Sequence, residues 1–151
     1  MEAVYDETGS FYLDNFDVGG VILKDDSREN YLYMLGLLHS QVLDFCFRRL
    51  SAPFRGGFRS ANRQFIEPLP IRRIDPSGAA GLKMRDDLVT QVEQMLAMQN
   101  QLQETRPEST EERHELERQI RRTDQEIGDW VYDLYGLAET ERKLIREHMA
   151  E

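Results

Sequence analysis

Two long runs of amphipathic helix, separated by an Arg-Pro break, constrain this chain more than any other feature. From about Lys83 to Glu104, the positions Arg85, Leu88, Val92, Met95, Gln99 and Leu102 step by three and four residues, the spacing that lines one helix face. Arg106-Pro107 ends this run, because the residue before a proline is pushed away from helical geometry. Ser109 and Glu112 then stand at capping-box spacing, and Leu116, Ile120, Thr123, Ile127, Trp130 and Leu134 make a second seam. Two such helices joined by a short turn fold back on each other as an antiparallel hairpin. Glu117 with Arg121, and Arg122 with Glu126, sit four apart, so the outer face reads as a solvated, salt-bridged surface. Gly136 interrupts the pattern, and Glu139 to Met149 reads as a last short helix.

The upstream half is more mixed. Ala3 to Asp14 places aromatic and branched residues around the turn signal Asp6-Glu-Thr-Gly9, which predicts a β-hairpin. Gly19 to Leu23 reads as a short apolar strand, and Asp25-Asp26-Ser27 offers capping groups for a helix over 28–50. That helix carries Tyr31, Leu32, Leu35, Leu37, Leu38, Val42, Phe45, Phe47 and Leu50, apolar most of the way round and therefore buried. Glycine and proline between Ser51 and Pro70 forbid a long helix, so 51–73 is expected to be loop with a short strand. The expected fold is mainly α within the α+β class: a small N-terminal β-hairpin and strands with a buried helix, a long antiparallel helical hairpin, and a short C-terminal helix. Residues 1–80 form one expected unit and 81–151 the other.

A chain of 151 residues can bury roughly two thirds of its unfolded surface and hold a core without disulfides or a metal. A single cysteine, no signal peptide and no apolar run approaching about 18 residues point to a cytoplasmic protein that makes no membrane span. Net charge is −9, which argues against nonspecific nucleic-acid binding by the molecule as a whole. The charge is nevertheless segregated. Residues 1–47 carry two basic against nine acidic side chains, residues 74–151 ten against eighteen, and residues 48–73 seven arginines against Glu67 alone. An arginine strip inside an acidic protein has the form of a phosphate-binding footprint. The same planar forks also suit the carboxylates of the chain's own acidic segments, and both readings stand at this point.

Catalytic patterns are lacking. His39, His114, His148 and Cys46 lie on different elements without metal-ligand spacing. His114-Glu115 begins like a zinc-protease helix, but the second ligand position is Arg118. Cys46 between Phe45 and Phe47 reads as a buried, inert thiol, and Gly56-Gly57 has neither phosphate-loop ending nor dinucleotide spacing. No catalytic or metal site is expected.

Residues 54–65 are richer. Phe54, Phe58 and Phe65 interleave with Arg55, Arg59 and Arg63, followed or flanked by Asn62 and Gln64. Arginine can neutralise phosphate or grip guanine, Asn and Gln can pair with adenine, and Gly56 and Gly57 let backbone approach a duplex closely. The candidate DNA-binding set is therefore Arg55, Gly56, Gly57, Arg59, Asn62, Arg63 and Gln64, with Arg48, Arg49, Arg72 and Arg73 as flanking second choices. The phenylalanines serve equally as core anchors.

Four segments, in order, resemble one family: Tyr31 to Ser40 continued by Asp44 to Arg49, Phe54-Arg-Gly-Gly-Phe58, Gln64-Phe-Ile-Glu-Pro-Leu-Pro-Ile71, and Asp124 to Leu137. The chain is similar to the C-terminal, TaqI-like specificity region of adenine-specific DNA methyltransferases and type IIG restriction-modification enzymes. His39 departs from it, since the family often has asparagine there. The last segment also resembles the helical spacers of type I specificity subunits.

The resemblance implies a target-recognition segment for double-stranded DNA followed by a helical hairpin that packs on a methyltransferase domain of the same chain or on a partner subunit. It implies S-adenosylmethionine for the parent enzyme and no cofactor for this piece, which has no Asn-Pro-Pro-Tyr motif, no Pro-Pro pair and no glycine-rich cofactor loop. The expectation is the end of a larger protein with an added Met1, itself neither methylating nor cutting. The competing expectation is a docking module, with homodimerisation through the hairpin and the arginine strip as structural glue.

Overall fold

Ser27 opens the first helix in the manner expected of a serine cap, its Oγ accepting from Asn30 N at 3.3 Å. The computed structural model describes residues 1, 3–11, 19–24, 27–53, 58–75 and 77–150. Among them run six helices: α1 (Arg28–His39), α2 (Gln41–Leu50), α3 (Arg63–Ile66), α4 (Ala79–Glu104), α5 (Thr110–Leu134) and α6 (Glu139–Met149). The architecture is mainly α. The helical hairpin and the last helix expected from spacing are both present.

The single helix expected over 28–50 is instead two, divided at Ser40. This buried serine ends α1 and begins α2: its Oγ donates to Leu37 O at 2.6 Å and accepts from Leu43 N at 3.3 Å. One hydroxyl thus satisfies orphan groups of both helix ends, so the break costs little inside the core. The division also explains why the run looked apolar all round. Leu32, Leu35 and Leu37 face inward from α1 while Val42, Leu43 and Phe47 do so from α2.

The N-terminal β-hairpin and strand are not found. Over residues 3–11 no strand forms, because the Asp6 carboxylate captures the amides of Ser10 at 3.0 Å and Phe11 at 2.8 Å, donors that a ladder would need. Gly9 takes a positive φ of 63° within this loop. Residues 12–14 of the expected hairpin lie outside the described residues. The segment Gly19–Leu23 is also not a strand: Ile22 is 90% exposed, and Leu23 N donates to the Tyr31 hydroxyl. Among the described residues β structure is limited to isolated bridge positions, the antiparallel pair Pro53 to Arg59 and Ala61.

The core is built where α1 and the first half of α4 meet α2, α5 and α6. Leu32, Leu37, Leu43, Leu88 and Val131 are fully buried, and each such side chain contributes about 1.5–3 kcal/mol relative to exposure. Gly36 permits the close approach of α1 to α4, since a Cβ there would lie 2.9 Å from Val92 Cγ2. In the hairpin, α4 is buried about its middle, and α5 buries Leu116 towards the tip and Ile127, Val131, Tyr132 and Leu134 towards its other end. Leu88, Val89 and Val92 are buried in α4, whereas Met95, Leu96 and Leu102 are half-buried and Gln99, expected in the seam, is exposed. At the tip, Arg113 from α5 donates to Leu102 O and Thr105 O, both at 3.0 Å, satisfying carbonyls that end α4. Ser109 precedes α5 but makes no side-chain cap. Gly136, at φ 65°, closes α5: its amide bonds Asp133 O and the next amide, of Leu137, bonds Tyr132 O.

Candidate nucleic-acid interface

The arginine strip begins on the last turn of α2 and ends just before α4, so its members sit on very different supports. Arg48 donates to the buried Asp44 at 3.2 Å, a carboxylate that also meets the amino group of Met1 at 2.6 Å. Arg49 is exposed and lies over the Phe45 ring, 4.6 Å from its centroid. Arg55, Gly56 and Gly57 lie outside the described residues.

Arg59 is a structural contact. Its Nη1 donates at 2.6 Å to the carbonyl of Ser51, the buried residue that caps the end of α2, and Ser51 Oγ in turn donates to Phe47 O at 2.7 Å. A guanidinium at a helix C-terminus satisfies an orphan carbonyl and opposes the negative end of the helix dipole. The Pro53–Arg59 bridge draws the loop back to bring this about. Phe58, beside it, is 75% exposed.

Asn62 precedes α3 without a side-chain capping bond, and its Oδ1 is shielded from solvent with no hydrogen-bond partner among the described residues. Gln64 is exposed on α3. Arg63, its side chain 88% exposed, pairs with Glu67 four residues on at 3.2 Å, and this hydrogen bond raises the guanidinium's already high pKa. Exposed pairs of this kind contribute little to stability and exchange readily for a stronger anion.

Arg72 and Arg73 are exposed and make no ion pair among the described residues. Their backbone is nevertheless tied to the core. Leu69 is buried and Ile71 and Ile74 pack against the core. Tyr33 of α1 donates to Arg72 O at 2.8 Å, Tyr135 at the end of α5 donates to Pro70 O at 2.7 Å, and Arg72 N donates to the Tyr135 hydroxyl at 3.3 Å. Burial pushes both tyrosine hydroxyls above their ordinary pKa and outweighs the opposing pull of Arg72. The nearest following carboxylate, Asp75, turns away and accepts from Ser77 N at 2.9 Å and Ser77 Oγ at 2.7 Å.

The two tyrosines escape a sequence reading of the site, because their partners lie 39 and 65 residues away. Burial raises the Cys46 thiol pKa and disfavours the thiolate that nucleophilic chemistry requires. His39 Nε2 lies 2.7 Å from Ala3 O, tying the N-terminal segment to α1, and His148 stands edge-on to Phe45. Among the described residues no group of three His, Cys, Asp or Glu is placed to hold a metal, and no helix is long and apolar enough to cross a membrane. Among known proteins, no family model, curated protein or solved structure matches the chain.

Proposed function

We propose that the chain is a non-catalytic DNA target-recognition segment with its helical spacer, belonging to a type IIG restriction-modification enzyme or an adenine-specific DNA methyltransferase. The observation that carries this reading is the exposure of Arg63, Arg72 and Arg73 within a strip of seven arginines and one glutamate, in a chain whose net charge is −9. The resemblance of the segments 31–49, 54–58, 64–71 and 124–137 to such enzymes supplies the biological setting. Contacts to phosphate would position the strip on duplex DNA, and outward polar side chains such as Gln64 would read bases.

The sequence contains neither the glycine-rich loop nor the Asn-Pro-Pro-Tyr motif that would hold S-adenosylmethionine and adenine in such enzymes. Methyl transfer therefore falls to a methyltransferase domain or subunit that the hairpin would adjoin. The test is fluorescence anisotropy on a random duplex across a salt series. With about four phosphate contacts, log affinity falls against log salt with a slope near −3.6. Changing Arg55, Arg59 and Arg63 together to alanine tests the central loop, and binding without salt dependence refutes the proposal.

A second reading, a cytoplasmic docking or dimerisation module, is favoured by one observation. From Gln94 to Gln103, α4 carries no charged residue, although 31% of the chain is charged. Ala97 is exposed there, and Ala97 and Met98 line an open groove against Gln119 and Thr123 of α5. Interface cores are depleted in charge and enriched in methionine. Sedimentation velocity separates the readings: a dimer abolished by Met98→Glu supports docking, and a monomer at all concentrations removes self-association.

A further inference from the structure

We infer that Arg72 and Arg73, held out from the core by the Tyr33–Tyr135 clasp, are the principal phosphate-backbone contacts of this chain on duplex DNA, ahead of Arg48, Arg59 and Arg63. The inference rests on the DNA-binding reading and deepens it by naming which part of the strip bears the contact.

Prior engagement decides among the arginines. Arg59 is fixed to the end of α2 through Ser51 O and Arg48 to a buried carboxylate, while Arg63 must first give up its exposed pairing with Glu67. Moving Arg59 onto a phosphate would strip a half-buried carbonyl of its donor, and moving Arg48 would leave Asp44 less compensated. Arg72 and Arg73 have no such competing carboxylate, because Asp75 is occupied by Ser77.

Rigidity strengthens the choice. A long side chain on a fixed backbone loses only rotamer freedom on binding. Three hydrogen bonds and the inward-facing Leu69, Ile71 and Ile74 fix residues 69–74 before any ligand arrives. The two tyrosines of that clasp come from α1 and from the residue that caps α5, so the backbone that carries the cations is tied to the core.

The experiment is fluorescence anisotropy of the full chain on a fluorescein-labelled random 20-base-pair duplex, from low to moderate salt. Removing two phosphate contacts in Arg72→Ala/Arg73→Ala reduces the magnitude of the log–log salt slope by about 1.8 and weakens binding roughly sixtyfold at 0.1 M salt. Arg72→Lys/Arg73→Lys keeps both charges and restores the slope, which a purely structural role for the arginines would not produce. Arg122→Ala, which removes one equally exposed charge from α5, leaves the slope unchanged. Circular dichroism confirms that each variant is folded. An unchanged slope in the double alanine variant, with the native chain still binding, overturns the inference and leaves DNA binding to the rest of the strip. Absence of duplex binding by the native chain overturns both.

Discussion

Tyr33 and Arg72 are 39 residues apart in the chain, yet the tyrosine hydroxyl donates to the arginine carbonyl at 2.8 Å. A phenol from the first core helix thereby fixes the backbone on which an exposed cation stands. Burial keeps this hydroxyl, and that of Tyr135, protonated above the range of a free tyrosine.

That shift has a sign that can be measured. A tyrosine whose folded pKa is raised binds its proton more tightly in the native state, so the stabilisation is complete below the unfolded value near 10 and is lost as pH rises through the folded value. Thermal unfolding is expected to be insensitive to these groups between pH 7 and about 9 and to shift downward above about 10. Tyr33→Phe should flatten the alkaline limb. A limb as steep in Tyr33→Phe and Tyr135→Phe as in the native chain contradicts the assignment.

Tyr135→Phe removes the donor to Pro70 O and the acceptor for Arg72 N, two bonds that together contribute about 1–2 kcal/mol. Urea unfolding should register a loss of that size. Amide exchange at Arg72 should accelerate more than exchange at Leu43 in the core.

Arg59→Ala should destabilise the chain by about 1 kcal/mol, because Ser51 O at the end of α2 loses its donor. The same change should lower duplex affinity far less than loss of Arg72 and Arg73. If Arg59→Ala leaves unfolding untouched and abolishes DNA binding, the guanidinium belongs to the ligand and not to the helix end.

Gly36→Ala places a methyl 2.9 Å from Val92 Cγ2 and 3.3 Å from Leu88 Cδ1. Alanine favours helix by about 1 kcal/mol over glycine, but forcing α1 from α4 costs about 1–3 kcal/mol. Net destabilisation is expected by chemical denaturation, and a gain in stability would show that the two helices separate freely.

Leu88→Ala and Leu102→Ala compare the middle and the outer part of α4. Leu88 is fully buried and its truncation should cost about 2–5 kcal/mol, whereas Leu102 is half-buried and should cost well under half as much. Equal losses would mean that the outer part is as tightly packed as the middle.

The helices α4, α5 and α6 were legible because their signals are local: apolar spacing, the Arg106-Pro107 break and Gly136. In the α4 seam Leu88, Val92, Met95 and Leu102 are buried or half-buried as the spacing predicts, whereas Gln99 is exposed and Leu96, off the seam, is half-buried, a choice made by packing between two helices and not by periodicity. The break at Ser40 was hidden by continuous apolar character on either side of a residue whose double capping role appears once both helix axes are known. The N-terminal hairpin failed because a single side chain, Asp6, outcompetes strand pairing for two amides, and sequence pattern does not reveal that competition. Within the candidate site, arginine clustering was visible from composition. What distinguishes Arg59 from Arg72 was not, because it depends on Ser51, Tyr33 and Tyr135, contacts set by tertiary structure.

Beyond Val92 the α4–α5 pair buries Leu116 alone among the described residues, which makes the length of its outer part an adjustable property. α4 has 26 residues, about 39 Å end to end, and its buried residues Leu88, Val89 and Val92 lie about its middle. Inserting or deleting seven residues in each helix beyond Val92, in matched positions, would move the Arg113-capped tip by roughly 10 Å while leaving Gly36, Leu88 and the tyrosine clasp where they are. The pair is a ruler whose zero mark is fixed in the core and whose far mark is free to be reset.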